Sequence, residues 1–295
     1  MDITYVGYDE DGQIVGGSVV LKEGESIKVV KAPKQTTDYK KVQKNRDKLQ
    51  KMSDELGGFY FMLYYDNKLF DGRVDEKHIC RLIYLATFLE YDSNKLVERQ
   101  GRSNVTLTEK NVKEKLGLDK KTYKTFKDEV VAEGILMFEE DGVYLSSEYF
   151  KRGKAPYKCQ FSRVYINTVR ELYEQIKPRQ HKTLSHLFKL LPYCDYEYNV
   201  ITSCPDTDDA MSNRLTREDV AELLGVDFNN FKKMEQALEN LKVSIHGETY
   251  YVMGSITVKC GGQKKCFYVI NPLIFNKGND FDKLHHVWTQ MLKED

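Results

Sequence analysis

The sequence predicts an α+β protein that is mainly helical, with tandem winged helix-turn-helix repeats behind a small N-terminal β meander. Three observations lead to this prediction. A helix, a glycine and a second helix recur at a constant spacing along the chain. Segments typical of strands follow each helix pair, and short alternating apolar segments separated by turn residues occupy residues 1–30.

The repeat is the most informative of these observations. Residues 107–135 align with residues 215–243 at a shift of 108 positions, without a gap. Each copy opens with a threonine suited to cap a helix, ends its first helix at a glycine, and carries an aspartate just before its second helix. These residues are Thr108, Gly117 and Asp119 in the first copy and Thr216, Gly225 and Asp227 in the second.

Four segments follow from these patterns. Residues 1–58 hold the β meander and a basic linker or helix, in which residues 31–51 carry eight Lys or Arg against two Asp. The first winged-helix domain is predicted over 59–153 and the second over 154–278. An amphipathic helix is predicted over 279–295, because Phe281, Leu284, Val287, Trp288 and Met291 recur at helical spacing. We expect it to pack back on the second copy, with a dimer contact as the alternative.

Composition and motifs exclude several classes of protein. The chain has 45 basic and 45 acidic side chains, so bulk charge does not favour nucleic acid, and a basic surface requires uneven distribution. There is no apolar run of membrane-spanning length, no signal peptide at the start, and no P-loop or metal-binding motif. The six cysteines are scattered, as in reduced cytoplasmic proteins. We therefore expect a cytoplasmic protein without catalytic residues, cofactor, metal or membrane contact. His181 and His186 are expected to be packing or surface residues.

The outward faces of the second helices are the predicted binding surface. In this kind of unit the second helix enters the major groove, where amides contact base edges and lysines contact phosphates. The second copy is favoured because its outward face lacks carboxylates, whereas the first carries Asp128, Glu129 and an acidic hairpin tip at 139–142. The predicted DNA-binding residues of the second copy are Asn229, Asn230, Lys232, Lys233, Gln236 and Asn240 on the helix, with Lys259, Lys264 and Lys265 on a hairpin loop. Those of the first copy are Lys121, Thr122, Lys124 and Thr125.

Residues 158–204 and 215–278 resemble the RepL-like plasmid replication proteins of Firmicutes and related phage proteins. The resemblance rests on Phe161–Tyr165, His181–Leu184, Leu190–Tyr193, Leu215-Thr216, Leu223–Gly225 and Tyr268–Pro272. It implies a winged-helix fold and a role in replication initiation or phage regulation. The expected partner is double-stranded DNA, with replication or transcription proteins and a second copy of the chain as further partners. A protein-interaction scaffold is the first alternative and an enzyme the second.

Overall fold

The structure is a computed structural model that describes residues 2–8, 14–20, 60–64, 72–101, 103–154, 161–207, 212–245, 247–260 and 263–278, with positions 283, 284, 287 and 291. The chain divides into two units, residues 1–46 and residues 47–295. The predicted domain boundaries at 58, 153 and 278 stay predictions.

In the first unit, strand β1 (Asp2–Tyr8) pairs antiparallel with strand β2 (Ile14–Val20). This hairpin corresponds to the first two strands of the predicted meander. The third predicted strand, at 27–30, and the basic stretch at 31–51 lie outside the described residues.

The second unit alternates helices with short strands. Its α-helices are α1 (Glu76–Ala86), α2 (Glu109–Leu116), α3 (Lys120–Ala132), α4 (Ile166–Gln175), α5 (His181–Leu190), α6 (Arg217–Leu223) and α7 (Phe228–Glu239). Its strands are β3 (Tyr60–Tyr64), β4 (Val97–Gln100), β5 (Ser103–Thr106), β6 (Leu136–Glu139), β7 (Gly142–Leu145), β8 (Phe150–Lys151), β9 (Phe161–Tyr165), β10 (Lys242–Ile245), β11 (Glu248–Tyr251), β12 (Met253–Cys260), β13 (Gln263–Ile270) and β14 (Phe275–Asn276). Among the described helices the longest has 13 residues, and none combines the length and apolar character that crossing a membrane requires.

A four-stranded antiparallel sheet joins the two predicted winged-helix domains. Its strand order is β14, β9, β3, β8, so two strands come from before residue 154 and two from after it. Tyr60 lies opposite Tyr165, Met62 opposite Lys151, and Phe275 opposite Val164. The remaining strands of the second unit form two-stranded hairpins: β4–β5, β6–β7, β10–β11 and β12–β13.

Most of the buried apolar side chains of both halves form one continuous cluster. It runs from Phe61 on β3 to Leu284 near the C-terminus. Within it the rings of Tyr84 on α1 and Tyr173 on α4 stack with centroids 4.0 Å apart. Two separate winged-helix domains would each have a core of their own, whereas here the helices of one half are packed on those of the other.

The predicted fold class needs correction. The molecule is α+β, but it is not a mainly helical chain of tandem winged helix-turn-helix repeats: the described residues form seven α-helices together with several small antiparallel sheets. The helix pairs do recur, but the sheet between them is built from both halves. Its strands are two to five residues long and pair across sequence separations that local patterns do not reveal.

Two segments that carry the family resemblance have structural roles. Strand β9 and strand β14 pair with each other, and the Arg163 guanidinium donates to the Asn276 side chain and to the carbonyls of Lys277 and Gly278. Buried Asn271 donates to the Tyr251 carbonyl and accepts from the Leu273 amide, which holds the turn before β14. These residues therefore stabilise the fold and do not form a binding surface.

Among the described residues, His78, His181 and His186 are buried, and the first two accept hydrogen bonds from Arg81. Arg81 Nε donates to His181 Nδ1 at 3.0 Å, and Arg81 Nη1 lies 2.8 Å from His78 Nδ1. Arginine can only donate, so both Nδ1 atoms accept and both rings are neutral. Burial lowers the pKa of His78 to about 3 and those of His181 and His186 to about 4. His181 and His186 were expected to be packing or surface residues, and both are packing residues in the interior.

The C-terminal segment packs back on the second unit at the positions that the structure describes. Residues 283, 284 and 287 are helical, Leu284 is fully buried in the main cluster, and Met291 packs with Val200 and Val269. The Tyr251 amide donates to the Met291 carbonyl. Packing back is therefore confirmed for Leu284 and Met291, whereas Phe281 and Trp288 lie outside the described residues.

Candidate nucleic-acid interface

The two helix pairs, α2–α3 and α6–α7, are built by the same local signals. A threonine caps each first helix through a capping box, and an aspartate caps each second helix through its carboxylate. The intervening glycines, Gly117 and Gly225, have φ of 61° and 63°, a conformation that glycine adopts without steric cost. All four helices begin directly after the capping residues that the sequence predicts, Thr108, Asp119, Thr216 and Asp227.

Helix α7 presents a polar face of amides and lysines, and its last residue, Glu239, is half-buried. All six side chains predicted on it are exposed: Asn229, Asn230, Lys232, Lys233, Gln236 and Asn240. Phe231 and Leu238 are buried on the opposite side of the helix. The exposed face therefore combines amides, which can pair with base edges, and lysines, which can pair with phosphates.

Glu235 is turned inward and fixes α7 in place. Its carboxylate accepts from the Tyr268 hydroxyl on β13 and from Arg217 Nη2 on α6 at 2.6 Å. The Arg217 guanidinium also lies over the Phe228 and Phe231 rings, 5.6 and 5.8 Å from their centroids. This charged hydrogen-bond network ties both helices of the pair to the β12–β13 hairpin.

Helix α3 presents a shorter polar face. Lys121, Lys124 and Thr125 are exposed, whereas Thr122 is half-buried and donates from its hydroxyl to the Asp119 carboxylate at 2.6 Å. Three of the four predicted residues of this copy are thus available at the surface. Thr122 has a capping role at the start of the helix.

Glu129 does not face outward, although the sequence analysis placed it on the outward face of the first copy, as a reason to favour the second copy for DNA binding. It is half-buried, accepts from the Asp75 backbone amide at the start of α1, and lies 3.3 Å from His78 Nε2. Its charge is therefore directed into the molecule. Asp128 stays exposed on α3.

A groove between α2 and α3 brings the predicted residue Lys124 together with four lysines that were not predicted as binding residues. It has a volume of about 580 Å³, and its lining includes five lysines with Tyr123, Glu109 and Asp128. The lysines are Lys110, Lys113, Lys120, Lys124 and Lys127. Lys127 pairs with Glu109 at 2.7 Å and Lys110 with Glu114 at 3.9 Å. Lys113, Lys120 and Lys124 form no ion pair among the described residues.

The two helix pairs have opposite net charge. Residues 109–128 carry seven lysines against four carboxylates, a net charge of +3. The aligned residues 217–236 carry three basic side chains against five carboxylates, a net charge of −2. A charge count for each copy shows this excess of lysine in the sequence, whereas the zero net charge of the whole chain hides it.

The lysine loop of the second copy lies on a hairpin, as expected, but a further hairpin separates it from the helix pair. After α7 the chain first forms β10–β11, which follows its helix pair as β6–β7 follows α3. Lys259, Lys264 and Lys265 belong to the next hairpin, β12–β13, where the backbone register places Lys259 opposite Lys264. The tip of β6–β7 is acidic, and Asp141 accepts from Lys95 at 2.7 Å.

No protein-family model, no curated protein and no solved structure matches this chain. Its function is therefore inferred from the helix pairs and the lysine groove.

Proposed function

We propose that this chain is a cytoplasmic, non-enzymatic protein that binds double-stranded DNA through its two helix pairs. The lysine groove between α2 and α3 carries the proposal, because phosphate neutralisation by lysine supplies most of the sequence-independent affinity for DNA. The exposed amides of α7 supply the groups that discriminate between bases. The resemblance of 158–204 and 215–278 favours a role in plasmid or phage replication initiation or in transcription regulation.

The test is the salt dependence of binding to a labelled duplex of mixed sequence, measured by fluorescence anisotropy. The variant replaces Lys113, Lys120 and Lys124 with Ala, because these groove lysines form no ion pair within the described part of the chain. Three lost phosphate contacts make the slope of log K against log salt shallower by about 2.7. Between 50 and 200 mM salt, wild-type affinity then falls roughly 40-fold more than the variant's affinity.

The control replaces Lys154, Lys177 and Lys182 with Ala; all three are exposed outside the groove, and Lys182 forms an ion pair with Glu76 at 2.9 Å. It has the same net charge as the groove variant, so a specific role of the groove predicts a near wild-type slope for the control. Equal slopes for both triple variants would remove the groove from the DNA surface. Absence of binding to any duplex at low salt would refute DNA binding altogether.

The protein-interaction scaffold is the second candidate function. The negative charge of the α6–α7 pair and the exposed Glu139 and Glu140 at the β6–β7 tip favour it, since both repel phosphate. It predicts that the groove variant loses a protein partner and leaves DNA binding unchanged.

A further inference from the structure

A second cleft, separate from the helix pairs, lies where the end of α1, the β4–β5 hairpin and the first turns of α4 meet. Its volume is about 550 Å³, which is within the usual range for sites that bind small molecules. Polar side chains dominate its lining: Arg99, Arg152, Arg170, Asn104 and Asn167, with the ring of Tyr91 alongside. Tyr91 is 63% exposed, an unusual position for a large aromatic side chain.

Arg170 is held rigidly by neutral groups. Its Nε donates to Thr87 Oγ1 at 3.0 Å and its Nη2 donates to the Thr87 carbonyl at 2.8 Å. Its guanidinium carbon lies 4.3 Å from the centroid of the Phe88 ring. Among the described residues no carboxylate forms an ion pair with Arg170, so its charge is oriented but not neutralised.

The other two arginines add positive charge to the same cleft. Arg152 is half-buried, and its Nη1 donates to the Leu89 carbonyl at 2.9 Å. Arg99 is exposed and donates from Nε to the Gly101 carbonyl at 3.2 Å. Burial lowers the pKa of both Arg152 and Arg170; for Arg170, Tyr84 and Glu98 oppose this effect and the charge of Arg152 adds to it. An anion in the cleft would relieve both costs.

The carboxylates of the cleft are already engaged. Glu98 accepts from Lys115 Nζ at 2.5 Å, and Glu90 accepts from the Asn104 amide at 3.4 Å. The cleft lining thus contains three arginines and two glutamates, and one of the glutamates, Glu98, is paired with Lys115. This excess of positive charge favours an anion over a metal cation. The first turn of α4 contributes Asn167 and the positive end of its helix dipole.

We propose that this cleft binds the phosphate group of a small phosphorylated ligand of nucleotide size. Guanidinium groups match phosphate oxygens in paired hydrogen bonds, and three of them line one cleft. The exposed Tyr91 ring is a surface on which a base can stack, and the Asn104 and Asn167 amides lie within the same cleft. This inference does not depend on the proposed DNA binding, which uses the α2–α3 groove and α7.

The experiment is isothermal titration of the full chain with inorganic phosphate, AMP and ATP at constant ionic strength, with melting temperature as a second readout. We expect ATP or AMP to bind more tightly than phosphate and to raise the melting temperature. Arg99→Ala should weaken binding roughly tenfold, the usual effect of losing one charge-assisted hydrogen bond. The control is Arg179→Ala, an exposed arginine outside the cleft with the same change in charge, and it should bind as wild type does.

Arg170→Lys is the second variant, because Arg170 also packs on Phe88 and its removal alters the fold as well as the cleft. It keeps the charge and loses the paired donors, so we expect weaker nucleotide binding with a near wild-type melting temperature in the free protein. The inference is overturned if none of the three probes binds at millimolar concentration, or if Arg99→Ala and wild type bind equally.

A further experiment tests whether the phosphate that binds in the cleft belongs to a free small ligand or to the DNA backbone. Arg99→Ala should leave the affinity for the labelled duplex unchanged, and ATP should not displace the duplex. If Arg99→Ala weakens duplex binding instead and ATP competes with DNA, the cleft belongs to the DNA surface and the assignment to a small ligand is wrong.

Discussion

Replacing Tyr268 with Phe tests how α7 is held. The Tyr268 side chain is fully buried, and its hydroxyl donates to the Glu235 carboxylate, whose other oxygen accepts from Arg217. Burial and the neighbouring Glu235 raise the pKa of Tyr268, so the hydroxyl keeps its proton and remains the donor at neutral pH. The substitution removes this donor, so one oxygen of the mostly buried Glu235 carboxylate loses its hydrogen bond from Tyr268.

The magnitude follows from the burial and the charge. A hydrogen bond to a charged group contributes about 1.5–3 kcal/mol to the free energy of unfolding. In a unit of this size about 2–4 °C of melting temperature corresponds to each kcal/mol, so the melting temperature should fall by roughly 3–12 °C. In urea, the midpoint should fall while the slope m stays constant, because the folded and unfolded surfaces are unchanged.

Tyr250→Phe is the matched control. Tyr250 also donates to a glutamate, but its partner Glu248 is exposed beside the β10–β11 turn. Exposed polar pairs contribute about 0–1 kcal/mol, so this variant should melt close to wild type. If the two variants lose equal stability, or if Tyr268→Phe loses none, burial of the Glu235 network is not what holds α7.

Two further outcomes follow from buried side chains. The histidine pKa values lie well below the unfolded value of 6.5, so the unfolded chain binds more protons between pH 6.5 and about 4. Stability is therefore full above pH 6.5 and falls as the pH drops, by up to about 1.4 kcal/mol per pH unit for each of His78, His181 and His186. Urea midpoints between pH 7.5 and 4.5 measure this, and an equally steep decline in His186→Gln would contradict the assignment for that residue. Leu284→Ala should cost about 2–5 kcal/mol, because the side chain is fully buried, without changing the mass by light scattering. A smaller mass with unchanged stability would instead mean that the C-terminal segment is a dimer contact.

Local signals in the sequence located the helix pairs well. Thr108, Asp119 and Gly117 act within a few residues of where they stand, and their counterparts at Thr216, Asp227 and Gly225 repeat the effect. The exposed face of α7 followed from the same information, since a helix of known register fixes which side chains share a face. Caps and periodicity involve contacts within about four residues, so one sequence contains them.

The direction of individual charges was harder to predict. Glu129 and Glu235 both occupy second helices, and both turn inward to partners far along the chain, at Asp75 and at Tyr268. The lysine groove likewise needs α2 and α3 side by side before its side chains form one surface. The arginine cleft combines residues from before position 105 with residues from after position 151.

The sequence by itself determined the helix pairs, their caps, their glycine turns and their internal repeat, because these depend on backbone hydrogen bonds between near neighbours. Only the tertiary structure decided that both halves share one core and one sheet, with β3 and β8 pairing beside β9 and β14. A strand of two to five residues has too few residues for its pattern to identify the strand that pairs with it. The hydrophobic effect is non-directional, so an apolar residue does not indicate which distant residue it will pack against. Which charges face solvent, and which arginines meet in one cleft, followed from that packing.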